Sequence, residues 1–159
     1  MRRVLRWLGI ALAAGVLAFG VLFVGARFHD GPIGPFKGGA FRSGEAAAPP
    51  ADWSNASGHP TLELELPAEV GLAITTWLVV EGGALYVPCG VAESKSWPHA
   101  VVRDGNVRVR VDGKIYELRA TRVDDPATLA RVVPLLAAKY DVHGEGFGTR
   151  DWLFALAPR

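Results

Sequence analysis

The sequence predicts a mainly β domain, a small antiparallel barrel with one helix closing an end, preceded by a single apolar helix. Three observations support this fold class. An uncharged run, Trp7–Ala26, stands near the start of the chain. Beyond residue 60, short apolar or alternating segments are separated by two-residue turns, which is typical of strands. One amphipathic segment of helical period follows late, and 159 residues leave room for one domain after the apolar run.

The apolar run is long enough to cross a membrane. At about 1.5 Å per residue, residues 7–26 form a helix of roughly 30 Å, which matches the hydrocarbon core of a bilayer. A basic end, residues 1–6, carries Arg2, Arg3 and Arg6 and favours an N-terminus in the cytoplasm, with the C-terminal domain on the outer or periplasmic side. The alternative is a signal peptide cleaved after Val24-Gly25-Ala26. The length of the run favours a retained single-pass anchor.

Charge and cysteine content limit the kinds of ligand and partner that we expect for this chain. The net charge is +1, and no basic stripe is present to neutralise phosphates, so we expect no nucleic-acid partner. Cys89 is the only cysteine, which excludes an intrachain disulfide and cysteine-based metal sites. It is either a small core residue or a reactive thiol, and no basic neighbour in sequence favours the second. The four histidines are scattered along the chain, so we expect no metal site.

Residues 27–59 are rich in Gly, Pro, Ala and Ser and show no sustained period of strand or helix. This composition predicts either a flexible tether or an extended arm that docks on the domain. Docking is favoured by Phe36, Phe41 and Trp53, because large aromatic side chains are costly to leave in water.

The barrel-like domain, residues 60–159, begins with clear strand signals. Leucines alternate with glutamates from Leu62 to Leu66, as in a strand with one solvated face. The run Leu72–Val80 is apolar on both faces and predicts a strand buried on two sides. Gly82-Gly83 then predicts a two-residue turn, after which residues 84–87 return as the partner strand.

The best-specified element is the hairpin at Asp112-Gly113. A two-residue turn there pairs Val111 with Lys114 and sets every pair behind it. Val109 then faces Tyr116, and Val107 faces Leu118. On the other side of the sheet, Arg108 meets Glu117 as an opposite-charge pair.

The last third of the domain predicts a helix, a turn and a strand. Asp125-Pro126 opens the helix with an N-cap and a proline at the first position. Pro134 predicts a kink or a break into two short helices. Residues 144–148 predict a turn, and the region from Trp152 to Leu156 alternates as a final strand. The apolar stripe of the helix consists of Leu129, Val132, Leu136 and Tyr140.

The stretch from Leu72 to Val142 resembles the split-barrel flavin-binding proteins, the pyridoxamine phosphate oxidase-like group and its deazaflavin-dependent nitroreductase relatives. The resemblance covers somewhat less than half of the chain and implies a split β-barrel with one or two short helices. The segments that carry it are Ala73-Ile74-Thr75-Thr76, Gly83-Ala84-Leu85-Tyr86-Val87, Ser94-Lys95-Ser96-Trp97-Pro98-His99, Arg103-Asp104-Gly105-Asn106-Val107-Arg108-Val109, Tyr116-Glu117-Leu118-Arg119-Ala120 and Asp124-Asp125-Pro126.

This resemblance implies a site for FMN or a deazaflavin, an oxidoreductase activity and a homodimer. The candidate cofactor-binding residues are Lys95, Trp97, His99 and Arg103. Lys95 matches a position where basic residues lie near the flavin phosphate, Trp97 suits stacking, and His99 and Arg103 suit polar edges or phosphate oxygens. No residue is indicated as catalytic.

One departure from the family supports a second hypothesis. Deazaflavin-dependent relatives hold phosphate with a Gly-Arg-x-Ser-Gly type loop near the first buried strand. Here the connection after Val80 is only Glu81-Gly82-Gly83, which is short and carries an acid. The alternative function is therefore a non-catalytic envelope binding or assembly module that kept the barrel and lost the cofactor site.

Overall fold

The structure, a computed structural model, describes residues 2–141, 147–148 and 150–159. Its helices are α1 (Arg2–Ala26), α2 (Ser96–Arg103) and α3 (Pro126–Tyr140), with 3₁₀ turns at Ser54–Ala56 and Ala92–Ser94. Its strands are β1 (Gly38–Gly39), β2 (Glu45–Ala47), β3 (Leu62–Glu65), β4 (Leu72–Thr76), β5 (Val79–Glu81), β6 (Ala84–Cys89), β7 (Asn106–Val111), β8 (Lys114–Arg122) and β9 (Trp152–Pro158).

The described strands form one nine-stranded sheet in the order β1-β4-β3-β7-β8-β9-β6-β5, and β2 adds to β8 in parallel. The neighbours along that order are antiparallel. β4 and β5 lie near opposite ends of the order, yet only Trp77 and Leu78 separate them in the chain. A two-residue link spans at most about 11 Å. The sheet must therefore curl until its two ends approach each other. This curling makes the sheet a barrel.

The predicted single strand Leu72–Val80 is wrong, because the chain bends between β4 and β5. Side chains of α3, not a neighbouring strand, hold the backbone at the bend. The Leu78 N–H donates to the Tyr140 hydroxyl at 2.9 Å, and the Leu78 carbonyl accepts from the Tyr140 hydroxyl at 2.7 Å and from Lys139 Nζ at 3.1 Å. Thr75 and Trp77 are exposed, so burial on two sides does not hold along the whole run.

The two predicted hairpin turns are confirmed. β5 pairs with β6 across Gly82-Gly83, and β7 pairs with β8 in the predicted register, with Val111 opposite Lys114. Gly113 has φ of +74°, as this kind of two-residue turn requires. Arg108 does lie opposite Glu117.

The predicted Arg108–Glu117 ion pair is wrong, because each side chain has another partner. The Arg108 guanidinium binds Glu65 instead, with Nη2 2.5 Å from Oε2. Glu117 lies 3.4 Å from Nη1 of Arg159. Glu65 belongs to β3, which pairs with β7 on the side opposite to β8. A carboxylate on this neighbouring strand therefore takes the place of Glu117 as the partner of Arg108.

Among the described residues, two apolar clusters form most of the core, and a third, small one lies beneath the arm. The larger lies inside the barrel and includes Leu64, Val109, Leu118 and Phe154. The smaller joins the outside of the sheet to α3 through five buried side chains. These are Val79, Tyr86, Val132, Leu136 and Leu153. β9 serves both clusters, because successive side chains of a strand point to opposite faces.

The helix predicted to close one end of the barrel, α3, instead covers an outer face of the sheet. Its cap is as predicted, since Asp125 accepts from the N–H groups of Ala127 and Thr128. Of the kink or break predicted at Pro134, the break does not occur, because α3 continues to Tyr140. Proline removes one backbone hydrogen bond, and burial of Val132 and Leu136 on either side offsets that loss. Of the predicted turn at 144–148, residues 144–146 lie outside the described residues.

Residues 27–53 lie against the barrel as an arm. β1 pairs with β4, and β2 pairs with β8 beside the part of β8 that β9 leaves open. Phe41 is buried against Ala73 and Ile115, and the Arg110 guanidinium lies 4.4 Å from the Phe41 ring centroid. Arg110 also reaches Asp30, with Nη1 3.1 Å from Oδ2. Outward arginines of β7 thus hold the arm in place.

Candidate functional site

A cleft runs beside the start of α2, between that helix, β4 and the arm. It consists of two adjoining hollows of about 320 and 380 Å³ that share four lining residues, Ile74, Thr75, Lys95 and Trp97. The first hollow continues to Trp77, Pro88, Cys89 and Gly90, and the second to Pro35, Lys37, Ser94 and Ser96. One wall is therefore apolar and aromatic, and the other carries two ammonium groups.

Lys95 and Trp97, both predicted as cofactor-binding residues, line both hollows. Lys95 is extended, with φ of −108° and ψ of 139°, and stands directly before the first turn of α2. No side chain caps that turn. Trp97 is buried, and its ring centroid lies 5.7 Å from that of Phe154 in the core. Trp97 thus fixes the helix to the barrel, while Lys95 stays exposed at the cleft.

Lys37, which the sequence reasoning did not select, lies on the same cleft. The arm brings it there, because the next residue, Gly38, pairs with Ala73 of β4. Among the described residues, neither Lys37 nor Lys95 has a carboxylate partner within ion-pair distance. A two-residue strand made of glycines gives no periodic signal, so nothing in the sequence pointed to Lys37.

His99 and Arg103, the other two predicted cofactor-binding residues, do not line the cleft. The His99 ring packs edge-on against Trp152, 4.9 Å between centroids, and its Nε2 lies 3.3 Å from the Glu93 carbonyl oxygen. Arg103 Nη2 lies 2.6 Å from Oε1 of Glu69 in an exposed ion pair. Both side chains are therefore engaged by the protein itself.

Cys89 is buried at the base of the first hollow. Burial raises the pKa of Cys89 to about 11, and the positive charge of Lys95 opposes that rise. The side chain is therefore a neutral thiol at pH 7. Of the two interpretations that the sequence left open, the structure favours the small core residue.

The remaining candidate chemistry is sparse. Glu81, the last residue of β5, forms an ion pair with Arg131 at 3.3 Å, and the Gly82-Gly83 turn that follows carries no basic side chain. Within the described residues, no three His, Cys, Asp or Glu side chains are grouped so that they could hold a metal ion. Among its described lining residues, the cleft combines two ammonium groups, those of Lys37 and Lys95, with apolar and aromatic surface.

No family model matches the sequence, and no curated protein matches it significantly. Solved structures do match its fold. A candidate pyridoxamine 5'-phosphate oxidase from Listeria innocua is 16% identical, with a TM-score of 0.50, and the match covers 64% of this chain and 85% of that one. A conserved hypothetical protein from Mycobacterium tuberculosis is 17% identical, with a TM-score of 0.50, and the match covers 65% of this chain and 76% of that one. A FAD-binding protein from Mesorhizobium loti is 10% identical, with a TM-score of 0.47, and the match covers 65% of this chain and 83% of that one.

The first two matches support the fold described above. At these identities they speak for the fold and leave the chemistry open. The mainly antiparallel sheet, the short helices and these matches confirm the predicted fold class. By its fold, the chain is a divergent split barrel of the kind seen in pyridoxamine 5'-phosphate oxidase-like proteins.

Proposed function

We propose that this chain is a membrane-tethered split-barrel domain that binds FMN or a deazaflavin in the cleft beside α2. The observation that carries the proposal is the pair of lysines, Lys37 and Lys95, which come from separate segments and line one cleft. Neither has a carboxylate partner among the residues that the structure describes. Unpaired ammonium groups favour an anionic ligand, and the phosphate of a flavin is such a group.

The rest of the cleft suits a planar ring. Trp77 is exposed on the wall of the cleft and stacks on Tyr140, with ring centroids 4.4 Å apart and planes 8° apart. This stacking fixes the orientation of the Trp77 ring, which offers a flat surface to a ligand. Ile74 and Pro88 add apolar contacts. Bound there, the cofactor would supply the redox chemistry of an oxidoreductase, and the protein would hold and orient it. The homodimer implied by the family resemblance belongs to the same proposal.

The membrane part of the proposal rests on α1. Residues Arg6–Ala26 of α1 have a mean hydropathy of 2.4, and no residue of the most apolar 18-residue window in that range is buried inside the protein. A helix of this length and composition is also compatible with a signal sequence. We propose a retained anchor over residues 7–26, a cytoplasmic basic end over 1–6, an arm over 27–59 and the barrel over 60–159 on the outer or periplasmic side.

The test is a titration of the full chain, reconstituted in phosphatidylcholine vesicles, with FMN, riboflavin and a deazaflavin phosphate. Flavin fluorescence and the absorbance spectrum report binding. We expect FMN to bind more tightly than riboflavin, because only FMN carries the phosphate that the lysines would contact. No binding of any of the three, or equal affinity for FMN and riboflavin, would contradict the proposed site.

A specific observation favours the second candidate function, the non-catalytic binding or assembly module. The turn between β5 and β6, Gly82-Gly83, has no charged side chain, and Glu81 at the end of β5 pairs with Arg131 of α3, so this region offers no cationic side chain to a phosphate. If the chain ignores flavins in the titration, this module becomes the better interpretation. Crosslinking of the reconstituted full chain, analysed by mass spectrometry, would then look for the partner.

A further inference from the structure

The arm carries a short hairpin, residues 31–37, that lies against α1. Within it, Ile33 and Phe36 exchange backbone hydrogen bonds of 3.1 and 3.0 Å. The Phe36 ring lies edge-on to Phe19 of α1, 6.0 Å between centroids. Phe19 stands seven residues before the end of α1 at Ala26, which is about 10 Å along the helix axis.

We propose that this hairpin and Phe28 form a second membrane contact, which inserts into the interfacial region of the bilayer beside α1. The inference rests on the membrane-anchor part of the proposed function. If α1 spans the bilayer, a ring packed on Phe19 lies below the level at which the helix leaves the hydrocarbon core. The tip of the hairpin then meets lipid rather than water.

The exposed side chains of this region fit that environment. Phe28 is 70% exposed and Ile33 is 45% exposed, and both lie close in sequence to the end of α1. Each would be costly in water and favourable among acyl chains and headgroups. Arg27 and Lys37 flank the apolar residues with positive charge, which suits anionic lipid headgroups.

Part of the backbone of the hairpin tip is already hydrogen-bonded within the protein. Ile33 and Phe36 satisfy each other, the Gly34 carbonyl accepts from the Thr75 hydroxyl at 3.1 Å, and Pro35 has no N–H group. Unpaired backbone groups are the main cost of placing a loop in lipid. Since Pro35 and Lys37 also line the cleft, the contact would place the cleft mouth at the membrane surface.

The experiment measures depth by spin labelling of the full chain in vesicles of phosphatidylcholine and phosphatidylglycerol in equal parts. In a Cys89→Ala background, single labels are placed through Ile33→Cys and through Leu135→Cys. Leu135 is the matched control, an apolar residue of α3 that is 43% exposed. We expect the label at residue 33 to collide with oxygen more often, and with a water-soluble nickel chelate several-fold less often, than the label at 135. Equal collision rates at the two positions would overturn the proposal.

A third label, through Leu12→Cys in the middle of α1, separates this outcome from failure of the anchor. If the label at 12 is shielded from the nickel chelate while those at 33 and 135 are equally accessible, α1 spans the membrane and the second contact is wrong. If the label at 12 is itself accessible, the anchor is wrong, and the second contact falls with it. The flavin titration tests the cleft independently of all three labels.

Discussion

The two ends of the segment 95–103 have the same kinds of side chain but different surroundings. At its start, Lys95 faces the cleft without a carboxylate partner among the described residues, and Trp97 forms part of the wall. At its end, Arg103 is paired with Glu69, and His99 rests on Trp152. The family resemblance selected all four residues equally. The difference shows that a polar residue in a matching segment is available to a ligand only if the fold leaves it without a partner.

The largest expected effect comes from removing the buried side chain of the cleft wall. Trp97→Ala removes a ring that packs on Phe154, and we expect the free energy of unfolding to fall by about 3–5 kcal/mol, because the cavity cannot refill. Urea denaturation followed by circular dichroism in detergent micelles measures this change. Trp77→Ala is the matched control, since Trp77 lines the same cleft but is exposed. Equal losses in the two variants would mean that Trp97 is not a core residue.

The second effect would displace Lys37 without changing its charge. A Cβ added at Gly38 would stand 1.6 Å from the Gly31 carbonyl oxygen, so Gly38→Ala must shift the backbone of the arm. We expect a loss of about 1–3 kcal/mol in the free energy of unfolding and weaker binding of FMN. Gly113→Ala is the control, because a Cβ there meets nothing within 4 Å and strains only the turn. If Gly38→Ala binds FMN as the wild type does, the arm does not contribute to the cleft.

The third effect compares the two ends directly. Replacing both Lys37 and Lys95 by Ala should weaken FMN binding about tenfold or more, because two charge-assisted contacts to the phosphate are lost. Arg103→Ala removes a similar charge from the other end and should change the affinity less than about twofold. The fluorescence titration described above measures both variants. A larger loss with Arg103→Ala would move the site to the far end of α2.

The smallest effect uses Cys89 as a reporter of Lys95. Because burial raises the pKa of Cys89 to about 11, alkylation by iodoacetamide should be slow at pH 8 and accelerate as the pH rises toward that value. Lys95→Ala removes a charge that favours the thiolate, so the pKa rises further. The alkylation rate should then fall by roughly two- to threefold at fixed pH.

Arg103→Ala, distant from the thiol in the chain and off the cleft, is the control for that measurement and should leave the rate unchanged. An unchanged rate in Lys95→Ala would show that the ammonium group does not act on the base of the cleft. An accelerated rate in that variant would indicate that the substitution had opened the cleft to the reagent.

Local signals were sufficient where the determining contacts are close in sequence. The turn at Asp112-Gly113, the cap at Asp125 and the stripe from Leu129 to Tyr140 all came out as predicted. Each depends on residues within about four positions of one another or across a two-residue turn. Most strands of the barrel and α3 followed from such signals taken together, and their order agrees with the separately noted resemblance to split-barrel proteins.

The errors occurred where distant side chains decide the local structure. The bend at Leu78 is held by Tyr140, which lies 62 residues later. Arg108 binds Glu65, which lies 43 residues earlier, and not Glu117, the residue opposite it in its own hairpin. In both cases the competing partner comes from another element, and periodicity carries no information about it.

The sequence by itself determined strands β3, β6, β7, β8 and β9, helix α3, the apolar N-terminal helix and the register of the β7–β8 hairpin. It also determined the presence of basic and aromatic residues near position 95. Tertiary structure alone decided which of those residues share a cleft. Lys37 lines the same cleft as Lys95 because Gly38 pairs with β4, whereas Arg103 lies off the cleft, with its Nη2 atom 2.6 Å from Oε1 of Glu69. Local propensities act along the chain, whereas a binding site depends on which charges remain unpaired after distant segments have come together.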